Sequence, residues 1–207
     1  LDTNSDIYAI IYSAVVVVIV AFLLAGVSSM LKPKQDANVE LDKKKQILAS
    51  LNERNLPDAA ARYDELIEKD IIVNAQGDEV AQEGGFKVSN DAVDENNLPL
   101  YIANIDGAKK YILPMTGNGL WGGIWGYIAL DTDMSTVKGV VFDHSGETPG
   151  LGAEITTSKH QAQYVGKSVY EGAELVGVTL KKGGADKSNL HEVDAITGGT
   201  KTSDGVT

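Results

Sequence analysis

The sequence predicts an α+β protein in which a single N-terminal transmembrane helix precedes a mixed α+β domain. Three observations lead to this fold class. An uncharged run of 22 residues occupies positions 10–31, two helical stripes of apolar residues follow it, and strand and turn patterns fill the chain after Asp70. Strands with only occasional helices between them are typical of α+β rather than α/β domains. The predicted division is an anchor at 1–31, a helical connector at 32–70 and a folded domain at 71–207.

The run at 10–31 has the length of a membrane span. As a helix it would measure roughly 33 Å, enough to cross a hydrocarbon core of about 30 Å. Only a helix satisfies its own backbone in lipid at this length, and Tyr8 and Tyr12 stand where interfacial aromatic residues are expected. A cleaved signal peptide is the alternative, but no basic segment precedes the run and 27–29 is a weak cleavage site. We therefore expect an uncleaved anchor in the lipid bilayer.

The charges that flank the run bear on its orientation. Lys32 and Lys34 follow it, whereas Asp2 and Asp6 precede it. Under the positive-inside rule alone this pattern favours a cytoplasmic domain. The chain begins with Leu1 rather than Met, so we expect earlier residues to be missing or processed. Charged residues among them would change the balance of charges on the two sides of the run.

The composition excludes several functional classes. The chain carries 18 Lys and Arg against 29 Asp and Glu, a net charge of −11, which makes it a poor nucleic-acid binder. It contains no cysteine, which rules out disulfides, thiol catalysis, and cysteine-ligated iron–sulfur or zinc sites. Its three histidines, His144, His160 and His191, form no i, i+4 metal-binding pair. We expect neither a metal site nor a nucleic-acid partner.

The periodicity of apolar residues locates the elements of the soluble part. Helical stripes occur at 37–52 and 57–69. Asp106 and Gly107 separate two apolar runs and predict a hairpin. The remaining predictions are strands at 71–73, 101–105, 110–113, 125–130, 137–142, 175–180 and 192–196, a helix at 158–170, and a long loop at 76–97.

Glycines concentrate in four clusters, at 117–126, 146–152, 183–184 and 198–199. Glycine allows positive φ and close approach of a ligand, so four clusters in one small domain indicate a site lined by backbone, with independent turns as the alternative. None is a P-loop or a dinucleotide-binding loop, and no GxSxG occurs. His144 and Glu147, which stand close in sequence, could serve as acid–base groups, although a polar loop lining a pocket is the simpler interpretation.

The segment 194–200 reads DAITGGT and is the most informative stretch. Its glycines would expose successive N–H groups, which form a nest for an anion. Thr200 suits the first turn of a helix, where phosphate is favoured. A strand-to-helix turn with Thr and Ser capping explains the same pattern.

This segment resembles the covalent flavin-attachment signature, an Asp followed by a Ser/Thr-Gly-Ala-Thr element. Three other segments, 119–121, 146–152 and 182–185, resemble the same family in the same order, as does 34–38 after the anchor. The chain therefore resembles the family of C subunits of the sodium-translocating NADH:quinone oxidoreductases. The G subunits of Rnf-type electron-transport complexes are that family's nearest relatives.

The resemblance implies that 71–207 is an FMN-binding domain and that FMN is joined through its phosphate to the Thr200 hydroxyl, with Thr202 as the nearest alternative acceptor. A separate flavin transferase would install it, with FAD as donor. No residue of the chain would be catalytic, because the flavin carries the electron. The expected cofactor contacts are Leu120, Trp121 and Leu151 as apolar walls, Glu147, Thr148 and Gly150 along the ring or ribityl chain, Lys182 beside Gly183 as a cation, and Thr197, Gly198 and Gly199 around the phosphate.

The same resemblance implies an electron relay within a membrane oxidoreductase, not a complete enzyme. Its partners would be the other subunits of the complex, and electrons would pass from an iron–sulfur centre toward a membrane flavin subunit and quinone. The domain would lie on the outer, periplasmic face of the bacterial cytoplasmic membrane, against the flanking charges. An Rnf-type G subunit and a cofactor-free membrane-anchored scaffold remain as alternatives.

The chain departs from the family pattern in two places. Gly199 stands where the signature usually has Ala, and we expect attachment to survive because the residue stays small. Family members also continue beyond the position of Thr207 with a helical tail, so we expect a further segment there.

Overall fold

The computed structural model describes residues 5–207, and the chain divides into two units between Lys43 and Lys44. From Asp6 onward the first unit is helical. The second contains the end of that helix, the sheet and the candidate site.

Helix α1 runs without interruption from Asp6 to Ser50 over 45 residues. Among the helices of residues 5–207, α1 is the one that is long and apolar enough to cross a membrane. The predicted helix at 37–52 is therefore not a separate element, and that prediction is wrong at its start. Pro33 lies inside the helix, because the loss of one backbone hydrogen bond does not end a helix that is supported by many residues on both sides.

The last turns of α1 belong to the core of the second unit. Ile47 and Leu48 are fully buried, and Leu51 is nearly so. Helix α2, Ala59–Leu66, follows, with Asp58 as its N-cap accepting the Ala61 N–H at 3.0 Å. The helix predicted for 57–69 ends earlier than expected, because the residues from 67 onward pair with a neighbouring strand instead.

Six antiparallel strands form the main sheet in the order β2-β1-β3-β4-β5-β6. Their bounds are β1 Ile67–Val73, β2 Glu79–Ala81, β3 Leu98–Ile105, β4 Ala108–Asn118, β5 Gly123–Leu130 and β6 Val137–His144. The five predicted strands between 71 and 142 each fall within one of them. Asp106 and Gly107 both have positive φ, 52° and 83°, as a two-residue type I′ hairpin requires.

The segment predicted as a long loop at 76–97 contains β2 and two short 3₁₀ turns, Gly85–Lys87 and Asn90–Ala92. It is otherwise irregular, as the polar sequence indicates. The loop prediction is thus correct except at these short elements.

The helix predicted at 158–170 is mostly wrong. Helix α3 covers only Ser158–Gln161 and continues as a 3₁₀ turn, Ala162–Tyr164. Gly166 then adopts a φ of +78° and donates its N–H to the Val137 carbonyl at 2.9 Å. The helical turns thus stop at Tyr164, and Gly166 directs the chain toward the start of β6. A glycine in the left-handed conformation commonly follows the end of a helix, so the predicted helix at 158–170 is too long.

Short elements complete the chain. They are β7 Tyr170–Glu171, β8 Glu174–Leu175, β9 Thr179–Lys181, β10 Glu192–Asp194 and α4 Thr200–Val206. The strand predicted at 175–180 is split, because Gly177 adopts a φ of +70° between β8 and β9. β10 pairs with β9 in parallel. It covers only the first part of the strand predicted at 192–196.

Alternate residues of β5 point to opposite faces of the sheet. Ile124 and Leu130 enter a buried cluster with Phe142, Ile155 and Val193. Tyr127, on the other face, packs edge-on against Tyr101 with ring centroids 6.1 Å apart. The C-terminal segments thus pack on one face of the sheet, and the candidate site lies beside the Gly123 end of β5.

Candidate functional site

The candidate site is a pocket where three segments of the second unit meet. These are the loop 119–122 between β4 and β5, the segment 147–152 after β6, and the start of α4. The pocket has a volume of about 140 Å³ and is lined by Leu120, Trp121, Glu147, Thr148, Leu151, Gly152, Gly198, Gly199, Thr200, Lys201 and Thr202.

The pocket brings together eight of the twelve residues that the sequence analysis selected as cofactor contacts. Gly150, Lys182, Gly183 and Thr197 do not line it, so their predicted roles stay predictions. Gly152 and Lys201 had no assigned role. Gly152 ends a predicted glycine cluster, whereas Lys201 carries no sequence signal beyond its position after Thr200.

The loop 119–122 is held by its backbone and turns its side chains outward. Gly119 donates its N–H to the Gly122 carbonyl at 2.8 Å, and the Trp121 N–H donates to Glu147 Oε1 at 2.8 Å. The side chains of Leu120 and Trp121 are 57% and 69% exposed, and Leu151 across the pocket is 42% exposed. Three large apolar side chains therefore border the opening of the pocket.

Glu147 is the buried polar centre of the site. It is only 5% exposed, and its Oε2 accepts the Thr202 hydroxyl at 2.5 Å. Burial acts to raise the pKa of Glu147, but hydrogen bonds from Thr202 and from the Trp121 and Leu120 N–H groups, with the nearby His144, hold the pKa below its ordinary value. The carboxylate is therefore ionised at neutral pH.

His144 and Glu147 are in contact, but not through the carboxylate. The Glu147 N–H donates to His144 Nδ1 at 3.1 Å. Both carboxylate oxygens are engaged elsewhere. This arrangement fits the interpretation of the segment as a polar pocket wall better than that of an acid–base pair.

The start of α4 is fixed by a short chain of contacts. Gly198 has a φ of +77° and allows the backbone to turn into the helix. The Ser203 N–H donates to the Gly199 carbonyl at 2.8 Å, and Ser203 Oγ accepts the Ile196 N–H at 3.2 Å. Thr200 is exposed, whereas Thr202 and Ser203 are almost completely buried.

The described residues 5–207 contain no group of three or more His, Asp or Glu placed to hold a metal ion. The charged side chains that line the pocket are Glu147 and Lys201. The arrangement offers an exposed hydroxyl, an adjacent cation and apolar side chains, which suits an anionic group attached to an aromatic body.

Comparison with known proteins agrees with this description. The family model for the FMN-binding domain matches residues 119–207, the part of the chain that contains all three pocket segments. The chain therefore contains an FMN-binding domain, which an N-terminal apolar helix precedes.

The curated relatives are more specific. The C subunit of the Na(+)-translocating NADH-quinone reductase of Haemophilus ducreyi is 35% identical over 91% of this chain and 81% of its own. The C subunit of Vibrio anguillarum is 30% identical over 99% of this chain and 89% of its own length. The chain belongs to the family of the C subunits of Na(+)-translocating NADH-quinone reductases, and the predicted resemblance is confirmed.

Solved structures agree with the fold. The C subunit from Parabacteroides distasonis superposes with a TM-score of 0.80 at 40% identity, covering 85% of this chain and 89% of that one. The NqrC of Shewanella oneidensis superposes with a TM-score of 0.73 at 24% identity, covering 82% of this chain and 89% of that one. At this identity the comparison shows a similar fold. The predicted α+β class with an N-terminal apolar helix is confirmed.

Proposed function

We propose that this chain is the membrane-anchored electron-transfer subunit of a sodium-translocating NADH:quinone oxidoreductase and that it carries FMN in a phosphoester with Thr200. The contrast between two threonines carries the proposal. Thr200 and Thr202 both line the pocket from the first turn of α4. Thr202 is 1% exposed and donates its hydroxyl to Glu147, whereas Thr200 is exposed. Of the two, Thr200 is the hydroxyl that a modifying enzyme can reach.

The residues around Thr200 fit an FMN group. A cavity of about 140 Å³ is smaller than the roughly 300 Å³ or more that encloses a drug-sized ligand, so most of the flavin would lie outside it. Leu120, Trp121 and Leu151 offer apolar surface there. Lys201 places a positive charge next to the proposed phosphate. When bound, FMN supplies one- and two-electron redox chemistry, and the chain's residues hold and shield it.

Attachment balances as a transfer from FAD. A flavin transferase would direct the Thr200 hydroxyl oxygen onto the FMN phosphorus. A P–O bond to Thr200 forms, the phosphoanhydride bond of FAD breaks, AMP leaves, and the threonine proton is released. No redox change occurs in this step, and the modified protein carries a phosphoester.

The proposed place of the chain in the complex follows from its family. Electrons would come from an iron–sulfur centre in another subunit and leave toward a membrane flavin subunit and quinone. The domain would lie on the periplasmic face, although Lys32 and Lys34 follow the apolar run. No group on this chain is required to move a proton in the transfer.

The test is the mass of the full-length chain after co-expression with a flavin transferase. Trypsin cleavage after Lys187 and Lys201 would place the candidate acceptors on different peptides, Thr200 on 188–201 and Thr202 on the peptide that begins at 202. We expect a mass increase of one esterified FMN on 188–201, retained in denaturant. Thr200→Val should abolish it and Thr200→Ser should retain it, with unchanged melting temperatures.

Two results would contradict the proposal. One is flavin that stays attached to the Thr200→Val variant through denaturation. The other is an unmodified wild-type chain under conditions in which the transferase modifies a known target, which would favour the cofactor-free scaffold.

A further inference from the structure

The Glu147 carboxylate connects two segments that are far apart in the sequence. Its Oε1 accepts the Trp121 N–H from the loop 119–122, and its Oε2 accepts the Thr202 hydroxyl from α4. Thr202 follows Glu147 by 55 residues. Since the carboxylate is buried and ionised, these are charge-assisted hydrogen bonds, which are stronger than neutral ones.

Two glycines leave the carboxylate just enough room. A Cβ added to Gly119 would collide with Glu147 Oε1, and one added to Gly152 would collide with Oε2 and with Thr202 Oγ1. The carboxylate is thus enclosed by backbone on both sides. It has little freedom to move away from Thr202.

Helix α4 is short, and its remaining contacts hold other parts of it. Ser203 fixes the helix to Ile196, and Gly205 packs its backbone against the Asn118 carbonyl. Within the first turn, the side chain of Thr202 is tied to Glu147. The orientation of that turn decides where Thr200 lies.

We propose that Glu147 is a positioning residue for flavin attachment: by accepting the Thr202 hydroxyl, it fixes the first turn of α4 so that Thr200 is presented to the flavin transferase. This inference rests on the proposed function, in which Thr200 is the acceptor. It assigns Glu147 a task different from the contact with the ring or ribityl chain that the sequence predicts.

The proposal requires the carboxylate and not merely a polar side chain. A carboxylate can accept hydrogen bonds at both oxygens, whereas a glutamine amide has one acceptor atom and one donor group. Glu147→Gln must therefore either set its NH₂ against the Trp121 N–H or leave the Thr202 hydroxyl without its acceptor. In both cases the connection between loop and helix is weakened.

The experiment measures the initial rate of FMN attachment to the full-length chain in detergent, with purified flavin transferase and FAD. Thr202→Val removes the hydroxyl at nearly constant volume and should slow attachment roughly tenfold, as expected for a displaced reacting group. Thr202→Ser restores the hydroxyl and should recover most of that loss. Thr132→Val, which removes an exposed, hydrogen-bonded hydroxyl just after β5, is the control for the loss of a threonine hydroxyl away from the pocket and should leave the rate unchanged.

A double-mutant cycle separates positioning from general destabilisation. Glu147→Gln alone should slow attachment about threefold or more, and the double variant Glu147→Gln/Thr202→Val should be no slower than Thr202→Val within about twofold, because both changes remove one shared interaction. Rates are compared at a temperature well below each melting transition. If Thr202→Val does not fold, the test is the attachment rate of Glu147→Gln relative to that of the wild type.

Three results would overturn the inference. They are wild-type rates in both Thr202→Val and Glu147→Gln, equal losses in Thr202→Val and Thr202→Ser, and additive losses in the double variant. Each presupposes that the wild-type chain is modified at Thr200. A wild-type chain without flavin would instead contradict the proposed function, so the two failures are distinguishable.

Discussion

Gly198 shows how one residue shapes the site. Its φ of +77° lies in the left-handed region, which costs an L-residue with a side chain roughly 1 kcal/mol or more. An added Cβ would also lie 2.6 Å from Leu151 Cδ2. Glycine at 198 thus sets both the turn into α4 and the position of an apolar wall.

Gly198→Ala should therefore have two effects that a control can separate. We expect a loss of about 1 kcal/mol or more in the free energy of unfolding, together with slower FMN attachment, because Leu151 must move. Gly77→Ala is the control, since Gly77 has a φ of +86° but no atom within 4 Å of the added Cβ. It should lose similar stability in urea titrations and keep the wild-type rate of attachment. Equal rates in the two variants would count against a role for Leu151.

Gly199 is a different case. Its φ of −110° is open to any residue, but an added Cβ would lie 2.9 Å from Ile196 Cγ2. An alanine at 199 would therefore require the Ile196 side chain to shift.

At the scale of elements, helix α1 serves two units with one continuous backbone. Its apolar part is exposed, with Leu24 65% accessible, whereas Leu48 is completely buried. The same residue type on the same helix thus meets two environments. Only the second contributes to the packing of the sheet domain.

Leu48→Ala should lower the free energy of unfolding of the second unit by about 2–5 kcal/mol, since it leaves a cavity in a packed core. Leu24→Ala is the matched control and should change it by less than about 0.5 kcal/mol. Urea unfolding in detergent, followed by tryptophan fluorescence from Trp121 and Trp125, measures both. Equal effects of the two substitutions would show that the end of α1 is not part of the core.

The elements that the sequence predicted well are those fixed by local chemistry. Asp106 and Gly107 form a two-residue turn, and the flanking apolar runs pair across it as β3 and β4. The failures are of another kind. The helical turns in the segment 158–170 stop at Tyr164, and Gly166 then donates its N–H to Val137, a partner that lies outside the segment.

The candidate site likewise contains residues that local motifs indicate and contacts that only the fold brings about. Leu120, Trp121, Leu151 and Thr200 stand in recognisable motifs and could be selected in advance. The hydrogen bond between Glu147 and Thr202 depends on the packing of two distant segments, so it was visible only in the fold. The positively charged residue that lines the pocket is Lys201, and Lys182 does not line it.

At the scale of the whole molecule, the proposed periplasmic orientation conflicts with the charges that flank the apolar run at 10–31. A labelling experiment distinguishes the two orientations. The chain has no cysteine, so a single introduced cysteine is the only thiol. Lys109→Cys lies on β4 at an exposed position, and Asp6→Cys lies at the other end of the apolar run. In spheroplasts, a membrane-impermeant maleimide should label Lys109→Cys at once and Asp6→Cys only after permeabilisation. The reverse pattern would place the domain in the cytoplasm.

The strand order has a consequence for synthesis. Consecutive strands are mostly neighbours in the sheet, so each hairpin can pair soon after it emerges, without waiting for distant sequence. The pocket is different: its loop, its buried acid and α4 come from successive parts of the chain, and α4 comes last. A nascent polypeptide therefore holds most of its sheet before it has an acceptor threonine in place. Modification at Thr200 would mark molecules whose pocket is assembled, and in a cell it would act as a maturation checkpoint.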